Sequence, residues 1–205
     1  MREKIAARFA AASLLALVAV GCATGEWTRG ERTLIGSGEM VMRVLTVDDP
    51  EDSLFLRGEC ADIPTEALSG DMYRRLAEKM VATVTDPSQD GVGIAGPQVG
   101  IARRIVAVQR FDREDEPFVV YPNIRITALK GEPVAGVEGC LSVPGRRGKV
   151  LRYPEIEIRY SLAAEGDMPA RDTTEIVSGF TAVIFQHETD HLDGTLYTDR
   201  IAESD

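Results

Sequence analysis

The chain has 205 residues, of which 44% are hydrophobic and 27% charged, with a formal net charge of −10, three cysteines and two histidines. This length suffices for one globular domain with a sizeable core, and the apolar content excludes a disordered acidic chain. The acidic balance argues against a nucleic-acid binder, which needs a concentrated basic face, and three cysteines do not make a disulfide scaffold.

The N-terminus has the pattern of a secretory signal. A basic start over residues 1–8 precedes an apolar run over residues 9–20, which is shorter than the roughly 20 residues of a membrane-spanning helix. Small residues then lead directly into Cys22, as in the lipobox of bacterial lipoproteins, which this segment resembles. We therefore expect a signal peptide over residues 1–21 and lipidation of Cys22.

This pattern predicts a lipoprotein of the bacterial cell envelope that contacts the membrane only through its N-terminal lipid anchor. The alternatives are an uncleaved N-terminal anchor and a cytoplasmic protein whose true start is Met42. Residues 22–41 are polar and contain several glycines, which is typical of a tether, so the domain is expected to occupy residues 42–205.

The first predicted element of the domain is an amphipathic helix. Apolar residues recur at helical spacing over residues 71–84, with Ser69 or Asp71 as a possible cap and Pro87 just beyond the end. The helix carries no chemistry of its own.

Strands are predicted further along the chain. Residues 104–111 and 118–127 are rich in Val, Ile and Phe and flank a charged run, which predicts an antiparallel hairpin with a solvated loop. Apolar and polar residues alternate over residues 156–160, as in a half-buried strand, and residues 174–177 are expected to pair with it. The last predicted element is a helix over residues 180–192. Strands followed by a helix, without βαβ alternation, favour an α+β fold.

The last helix carries the most informative motif. His187 and His191 are four residues apart, so both imidazoles project from one face and can bind a single metal ion, with Glu188 beside them. Chance places two histidines and a glutamate in this way on the order of once in a thousand arrangements. The apolar run over residues 182–185 takes the helix into the core, where unpaired imidazoles are costly. The motif therefore predicts a metal site.

A catalytic site of this kind needs a third ligand and an open position for water. The chain has no third histidine, and few carboxylates follow His191. Upstream, Cys140 lies in the segment Glu138–Ser142, where a strand from Val134 is expected to end. A thiolate there would complete a Cys-His-His site.

Three motifs together resemble the signature motifs of peptide deformylases. They are, in the order of that family, Gly91-Val92-Gly93-Ile94-Ala95-Gly96-Pro97-Gln98, Glu138-Gly139-Cys140-Leu141-Ser142 and Gln186-His187-Glu188-Thr189-Asp190-His191. The resemblance implies an α+β fold in which the central HExxH helix packs against antiparallel β-sheets. Three features depart from the family pattern: Gly96 replaces the usual alanine and could loosen its loop, the C-terminus is short, and an export signal is present.

The resemblance also implies a metal site and its chemistry. Cys140, His187 and His191 would hold the ion, with water in the fourth position. Fe²⁺ is favoured, and Zn²⁺, Ni²⁺ or Co²⁺ could replace it. Glu188 would act as the general base and then carry the proton to the leaving amine.

Further roles follow from the same resemblance. The side chain of Gln98 and the backbone N–H of Leu141 would donate to the oxyanion, and Gly93 would let the substrate backbone approach closely. An apolar pocket for methionine would be lined by Val92, Phe180, Val183 and Ile184, for which ordinary core packing is the alternative.

The surroundings of the metal site are predicted as well. Arg152 is expected to pair with Glu138, and Asp190 is expected to orient an imidazole rather than to bind the ion. Arg147 has either a supporting or a solvated surface role. Cys60 and Cys140 are expected not to form a disulfide.

The leading hypothesis is a peptide deformylase, which hydrolyses the formyl group from an N-formylmethionyl peptide or nascent-chain N-terminus and releases formate. One alternative is an envelope amidase or peptidase on the same scaffold with a different substrate. Another is a non-catalytic metal-binding lipoprotein, but simple binding needs neither Glu188 nor Gln98.

Overall fold

The computed structural model describes residues 26–165 and 168–202. The predicted signal peptide over residues 1–21 and the predicted lipidation site Cys22 therefore lie outside the described residues. Within the described ranges, no helix has both the length and the apolar character needed to cross a membrane.

The regular structure consists of α-helices, short 3₁₀ helices and antiparallel strands. The helices are α1 (Arg29–Gly36), α2 (Pro50–Leu56), α3 (Asp71–Val84) and α4 (Gly179–Leu192). The 3₁₀ helices cover Thr65–Ser69, Gly96–Val99 and Tyr197–Arg200. The strands are β1 (Gly93–Ala95), β2 (Ile105–Gln109), β3 (Phe118–Pro122), β4 (Arg125–Lys130), β5 (Val134–Cys140), β6 (Val143–Arg152), β7 (Glu155–Leu162) and β8 (Arg171–Ser178).

The strands form two three-stranded sheets and one two-stranded ribbon. The first sheet has the order β1-β2-β3, the second has the order β4-β7-β8, and β5 pairs with β6. Helix α4 packs against β1 and β2 of the first sheet and against β7 and β8 of the second. The predicted α+β fold, with a central helix against antiparallel sheets, is confirmed.

Helix α3 has the predicted bounds, Asp71–Val84, and buries its apolar face, including Leu76 and Met80. The predicted cap is wrong, because Gly70 occupies the N-cap position and no side chain caps the helix.

The predicted hairpin is correct in its pairing, since β2 and β3 are antiparallel and Ile105 pairs with Pro122. Its second strand ends earlier than predicted, because Asn123 adopts a positive φ of 56°. The Ile63 N–H donates to Asn123 Oδ1 at 2.7 Å, and Asn123 Nδ2 donates to the Ile63 carbonyl at 2.9 Å. These two hydrogen bonds hold the bend. The chain then enters the second sheet as β4. In that sheet the predicted pairing of residues 156–160 with 174–177 is confirmed.

Helix α1 corrects the predicted tether over residues 22–41. It begins with a capping box in which the Glu31 N–H donates to Thr28 Oγ1 and the Thr28 N–H donates to the Glu31 carboxylate. Ile35 is fully buried in the core that α3 also lines. The tether prediction is wrong for this part of the segment because its helix docks on the domain.

Partners far along the chain hold α1 in place. Arg103 donates to Glu31 at 2.6 and 2.9 Å, and both side chains are buried. Lys79 of α3, also buried, donates to the carbonyl of Leu34 at 3.1 Å and to Ser37 Oγ at 2.6 Å at the end of α1. These contacts span more than 40 residues of sequence, so no local pattern reveals them.

Helix α4 ends as predicted, with Gly194 just after it at a φ of 67°. A Cβ at Gly194 would overlap the carbonyl oxygen of Arg57, so both the conformation and the close approach require glycine. Phe185 and Ala182 are fully buried, which places the helix in the core together with its polar residues.

Candidate metal centre and active site

Helix α4 presents the two histidines on one face. The ring centroids of His187 and His191 are 5.1 Å apart, and His191 is 1% exposed. This spacing follows from the four-residue separation on a helix.

Cys140 completes the group from another element. It ends β5, next to a register shift in the β5–β6 pairing that follows Glu138. Its Sγ lies 3.2 Å from His191 Nε2, and one ligand atom from each of Cys140, His187 and His191 lies within 4.8 Å of the others. The structure thus brings together all three predicted ligands in a group that can hold a metal ion. A thiolate and two imidazoles suit zinc and other late divalent ions.

The pKa values of the two imidazoles are shifted in opposite directions. Burial lowers the pKa of His191 well below its usual range, which keeps the neutral form that binds metals. Burial also acts to lower the pKa of His187, but hydrogen bonds with Cys140 and Glu138 outweigh it and raise the value to about 10. A metal ion and a proton compete for the same lone pairs, so an ion that binds His187 at neutral pH would displace a proton from this ring.

Glu138 orients His187. Its Oε2 accepts from His187 Nδ1 at 2.8 Å, and Arg152 donates to both of its carboxylate oxygens at 2.7 and 3.0 Å, which confirms the predicted Glu138–Arg152 pair. Burial raises the pKa of Glu138, but the bonds from His187 and Arg152 outweigh it and lower the value to about 2. The carboxylate therefore stays ionised and fixes the imidazole with Nε2 facing the cleft.

The predicted role of Asp190 is wrong. Its carboxylate accepts from Arg152 at 2.7 Å and from Arg200 at 2.6 and 2.7 Å, and not from an imidazole. Two arginines, one from β6 and one from the C-terminal 3₁₀ helix, outcompete a neutral ring for this carboxylate because charge-assisted bonds are stronger.

Glu188 is buried beside the metal-ligand group. It is 4% exposed, and its Oε2 has no hydrogen-bond partner within the part of the chain that the structure describes. Burial raises its pKa to about 7, against the opposing effect of His187. A buried carboxyl with this pKa can exchange a proton near neutral pH.

Gly93 makes room for that carboxylate. A Cβ at Gly93 would lie 2.6 Å from Glu188 Oε1 and 2.8 Å from Ile184 Cγ2. The close approach that requires glycine here is therefore to Glu188, a role that the sequence alone does not reveal.

Gln98 is held with its amide N–H groups toward the site. Its Oε1 accepts from the Ala95 N–H at 2.8 Å, and its Nε2 lies 3.2 Å from Ser142 Oγ and 3.6 Å from Cys140 Sγ. The side chain is 1% exposed. Because the carbonyl end is already bonded, the donor end faces Cys140.

One cleft of about 720 Å³ is lined by Gly93, Gln98, Cys140, His187 and Glu188. The four predicted pocket residues, Val92, Phe180, Val183 and Ile184, also line this cleft. Leu141 lines it as well. Ile184 is 4% exposed, whereas Val92 and Phe180 remain partly open to solvent. Arg147 also lines the cleft, as do Val137 and Arg146, which sequence reasoning missed.

Comparison with known proteins decides the family. A profile described as polypeptide deformylase matches residues 41–205. The chain belongs to this family. It is a peptide deformylase by descent and therefore a metallohydrolase. Among the described residues, the Cys/His/His group could bind its metal.

Related deformylases match much of the chain. That of Desulforudis audaxviator is 41% identical over 127 residues, 62% of this chain and 75% of the relative. That of Leptospira biflexa is 32% identical over 168 residues, 78% of this chain and 88% of the relative.

Solved deformylases share the fold. The actinonin-bound class I type b enzyme of Acinetobacter baumannii is 33% identical with a TM-score of 0.67, covering 80% of this chain and all (100%) of that one. The Thermotoga maritima enzyme is 29% identical with a TM-score of 0.65, covering 80% and 99%.

Gly96, the departure from the deformylase pattern, does not sit in a loose loop. A Cβ there would lie 2.6 Å from the carbonyl oxygen of Arg103 and 2.7 Å from that of Ile101. The Ile101 N–H also donates to the Gly96 carbonyl at 2.9 Å. The backbone packs too closely here for alanine, so the 3₁₀ helix that carries Gln98 is held firmly.

Cys60 lies apart from this chemistry. Cys60 and Cys140 are free thiols in the described residues, and burial raises the pKa of Cys60 to about 12. A thiol with this pKa stays protonated and unreactive at neutral pH.

Proposed function

We propose that this deformylase removes the formyl group from peptides that begin with N-formylmethionine, including nascent-chain N-termini, and releases formate. The observation that carries the proposal is the buried Glu188 carboxylate beside the Cys140, His187 and His191 donors at the cleft, because its Oε2 has no hydrogen-bond partner among the described residues. The related Acinetobacter baumannii deformylase was solved with Met-Ala-Ser bound, and we assign the same peptide class to this chain.

We propose Fe²⁺ as the resident ion, held by Cys140, His187 and His191, with Zn²⁺, Ni²⁺ or Co²⁺ able to replace it. The soft thiolate and the two imidazoles suit all of these ions, and the ionised Glu138 keeps His187 oriented toward them. When bound, the ion supplies Lewis acidity, which lowers the pKa of water from 15.7 to about 7.

In this proposal Glu188 is the general base. Its buried carboxylate accepts a proton from water as the water oxygen attacks the formyl carbon, and its pKa of about 7 suits that transfer. When the bond between the formyl carbon and the nitrogen breaks, Glu188 returns the proton to the leaving amine. Formate and a free N-terminal methionine result.

Gln98 and Leu141 would stabilise the charge that develops on the formyl oxygen. The bond from the Ala95 N–H already fixes the carbonyl end of the Gln98 amide, which limits the reorganisation that its N–H end needs during the reaction. The backbone N–H of Leu141 adds a second donor from the residue after Cys140. Gly93 would also allow the peptide backbone to lie close to β1.

The methionine side chain would enter the apolar part of the cleft. The residues that would contact it are Val92, Phe180, Val183 and Ile184. Phe180, Val183 and Ile184 lie within two turns of His187 on α4, and Val92 lies on the loop before β1. This arrangement places apolar surface next to the metal-ligand group.

We further propose that the enzyme is an envelope lipoprotein anchored through Cys22. The support is the signal-like sequence of residues 1–21. Helix α1 supports a start upstream of Met42, because it packs Ile35 into the core and pairs Glu31 with Arg103, contacts that a chain beginning at Met42 would lack. When cells that express the protein are fed a labelled fatty acid, we expect the wild type to carry the label and the Cys22→Ala variant not to carry it. A wild-type protein that is unlabelled and begins at Met42 would contradict this placement.

The substrate assignment is tested with a matched peptide series. Iron-loaded protein prepared anaerobically is expected to release formate from formyl-Met-Ala-Ser, and to leave acetyl-Met-Ala-Ser and Met-Ala-Ser intact. Cleavage of the unformylated peptide would indicate a peptidase on the deformylase scaffold. Metal binding without turnover of any peptide would indicate a non-catalytic protein.

A further inference from the structure

The chain is fixed to the domain only a few residues after the proposed lipid anchor. The carbonyl of Glu26 accepts from Arg103 Nη2 at 2.8 Å, and the Arg103 guanidinium lies over the ring of Trp27 at 5.5 Å from its centroid. The domain therefore holds the chain from Glu26 onward. Only residues 23–25 separate this point from Cys22.

This short connection limits the distance between the domain and a membrane. A chain spans at most about 3.6 Å per residue, so the steps from Cys22 to Glu26 reach about 14 Å. A globular domain of this length has a radius of gyration of about 16 Å. With lipidated Cys22 at the membrane surface, the domain has no room to move far from the bilayer, and the face near Glu26 is turned toward it.

Exposed apolar side chains cluster close to that point. Leu34 lies in the last turn of α1, and Val41 and Phe55 line the same groove of about 500 Å³. Met40 and Leu54 are their neighbours in the chain, and all five side chains are between 38% and 78% exposed. We call these five residues the α1–α2 face. A contiguous exposed apolar patch marks an interaction site, whereas scattered apolar residues do not.

The rim of the groove is acidic. Glu39, Glu51 and Asp52 line it, and Arg43 is the one basic residue among the lining residues that the structure describes. Arg43 donates to both carboxylate oxygens of Asp52 at 2.7 and 2.6 Å, so its charge is compensated within the groove. The remaining negative charge disfavours an anionic surface. A zwitterionic lipid surface accepts the apolar side chains without this repulsion.

Contact through this face leaves the catalytic cleft open. The 3₁₀ helix Gly96–Val99 separates the two, because Gln98 lines the cleft and Val99 lines the groove. Among the described residues, none lines both. A peptide can therefore enter the cleft while the groove faces lipid.

We propose that the α1–α2 face docks on a zwitterionic lipid surface, so that the domain lies on the membrane instead of being attached through its lipid alone. The inference rests on the proposed lipidation of Cys22 and adds a second membrane contact to it. The anchor holds the face at high effective concentration beside the headgroups, so a weak apolar attraction suffices for docking.

The test measures quenching of tryptophan fluorescence by brominated phosphatidylcholine in vesicles that carry the full lipidated protein. Trp27 is the one tryptophan of the chain, so the wild type gives the baseline and Leu54→Trp adds a reporter on the face. The reporter should lose about half of its fluorescence or more, because docked apolar side chains enter roughly 5–10 Å into the boundary between headgroups and acyl chains.

Ile176→Trp is the matched control. Ile176 is 56% exposed, but it lies on β8 and outside the α1–α2 face, so its reporter should keep its fluorescence. Both variants should release formate as the wild type does, because neither position lines the cleft.

Lipid composition gives a second readout. Vesicles that also contain anionic phosphatidylglycerol should quench Leu54→Trp less, because the rim of the groove is acidic. Equal quenching of the two reporters, or stronger quenching on the anionic vesicles, would overturn the docking face alone. A protein that carries no lipid on Cys22 would overturn the proposed anchor and the docking with it.

Discussion

At the scale of single residues, the site depends on donors and acceptors that are fixed before a substrate arrives. The Gln98 amide is held by the Ala95 N–H, and Glu138 by Arg152. Each contact decides which way a reacting or metal-binding group faces, so single substitutions separate their contributions.

Gln98→Leu should remove one oxyanion donor while keeping an apolar side chain of similar size. Losing such a donor costs about 2.7–4 kcal/mol of transition-state stabilisation, so kcat should fall by a factor of hundreds. Steady-state formate release with matched metal content is the measurement. A fall of less than about threefold, with metal content unchanged, would remove Gln98 from the proposed machinery.

Gly93→Ala should impair turnover for a different reason. The added Cβ would meet Glu188 Oε1 at 2.6 Å, so the carboxylate must shift. A general base typically raises the rate by about 10²–10⁴-fold, and a misplaced one loses much of that effect. We therefore expect kcat to fall by about a hundredfold. Gly136→Ala is the control, because a Cβ there meets nothing within 4 Å. Equal activity of the two variants would contradict this role of Gly93.

Local spacing predicts the metal ligands on α4 because helix geometry alone places residues four apart on one face. It does not predict which carboxylate orients His187. Asp190 is the nearer candidate in sequence, yet Glu138 makes the contact because the β5–β6 ribbon and Arg152 bring it there. That arrangement is tertiary, and no pattern within α4 contains it.

At the scale of elements, α3 and α4 can be predicted from local sequence, whereas α1 depends on tertiary contacts. Helix α3 has strong apolar periodicity, and α4 is an unbroken segment without Pro or Gly from Phe180 to Leu192 that Gly194 closes, so both were predictable to within a residue or two. Helix α1 has only eight residues, and its docking depends on Arg103 and Lys79. A short polar segment looks like a tether until those partners are known.

Glu31→Ala tests the docking of α1. Removing one partner of a buried ion pair typically costs about 3–5 kcal/mol, because the remaining charge is left unpaired. Urea unfolding should show a loss of this size, whereas Arg32→Ala, at an exposed position of the same helix, should change stability by less than about 0.5 kcal/mol. A loss below about 1 kcal/mol in Glu31→Ala would mean that α1 contributes little.

The Glu31 contribution should also depend on pH. Burial raises the pKa of Glu31, but the bonds from Arg103 and Thr28 outweigh it and hold the pKa below its ordinary value of 4.5. A lowered pKa stabilises the folded state above the unfolded value and loses that effect as the pH falls through the folded value. The stability difference between wild type and Glu31→Ala should therefore be full above about pH 5 and shrink as the pH falls below 4.5.

At the scale of the whole molecule, α4 connects the core to the chemistry. Its buried face packs against both three-stranded sheets, and its polar residues meet Cys140 from the β5–β6 ribbon. The α+β class was predictable from the order of strands and helix, but the division of the strands into two sheets was not. That division depends on the bend at Asn123, which Ile63 holds from another part of the chain.

The central claim is that Glu188 and the Cys140, His187 and His191 group together carry out deformylation. The most direct test is the rate of formate release from formyl-Met-Ala-Ser by wild-type protein and Glu188→Gln, both iron-loaded anaerobically to the same metal content. We predict turnover by the wild type and a rate at least about a hundredfold lower in the variant, with the ion still bound. No formate from the wild type, or equal rates from both proteins, would contradict the account.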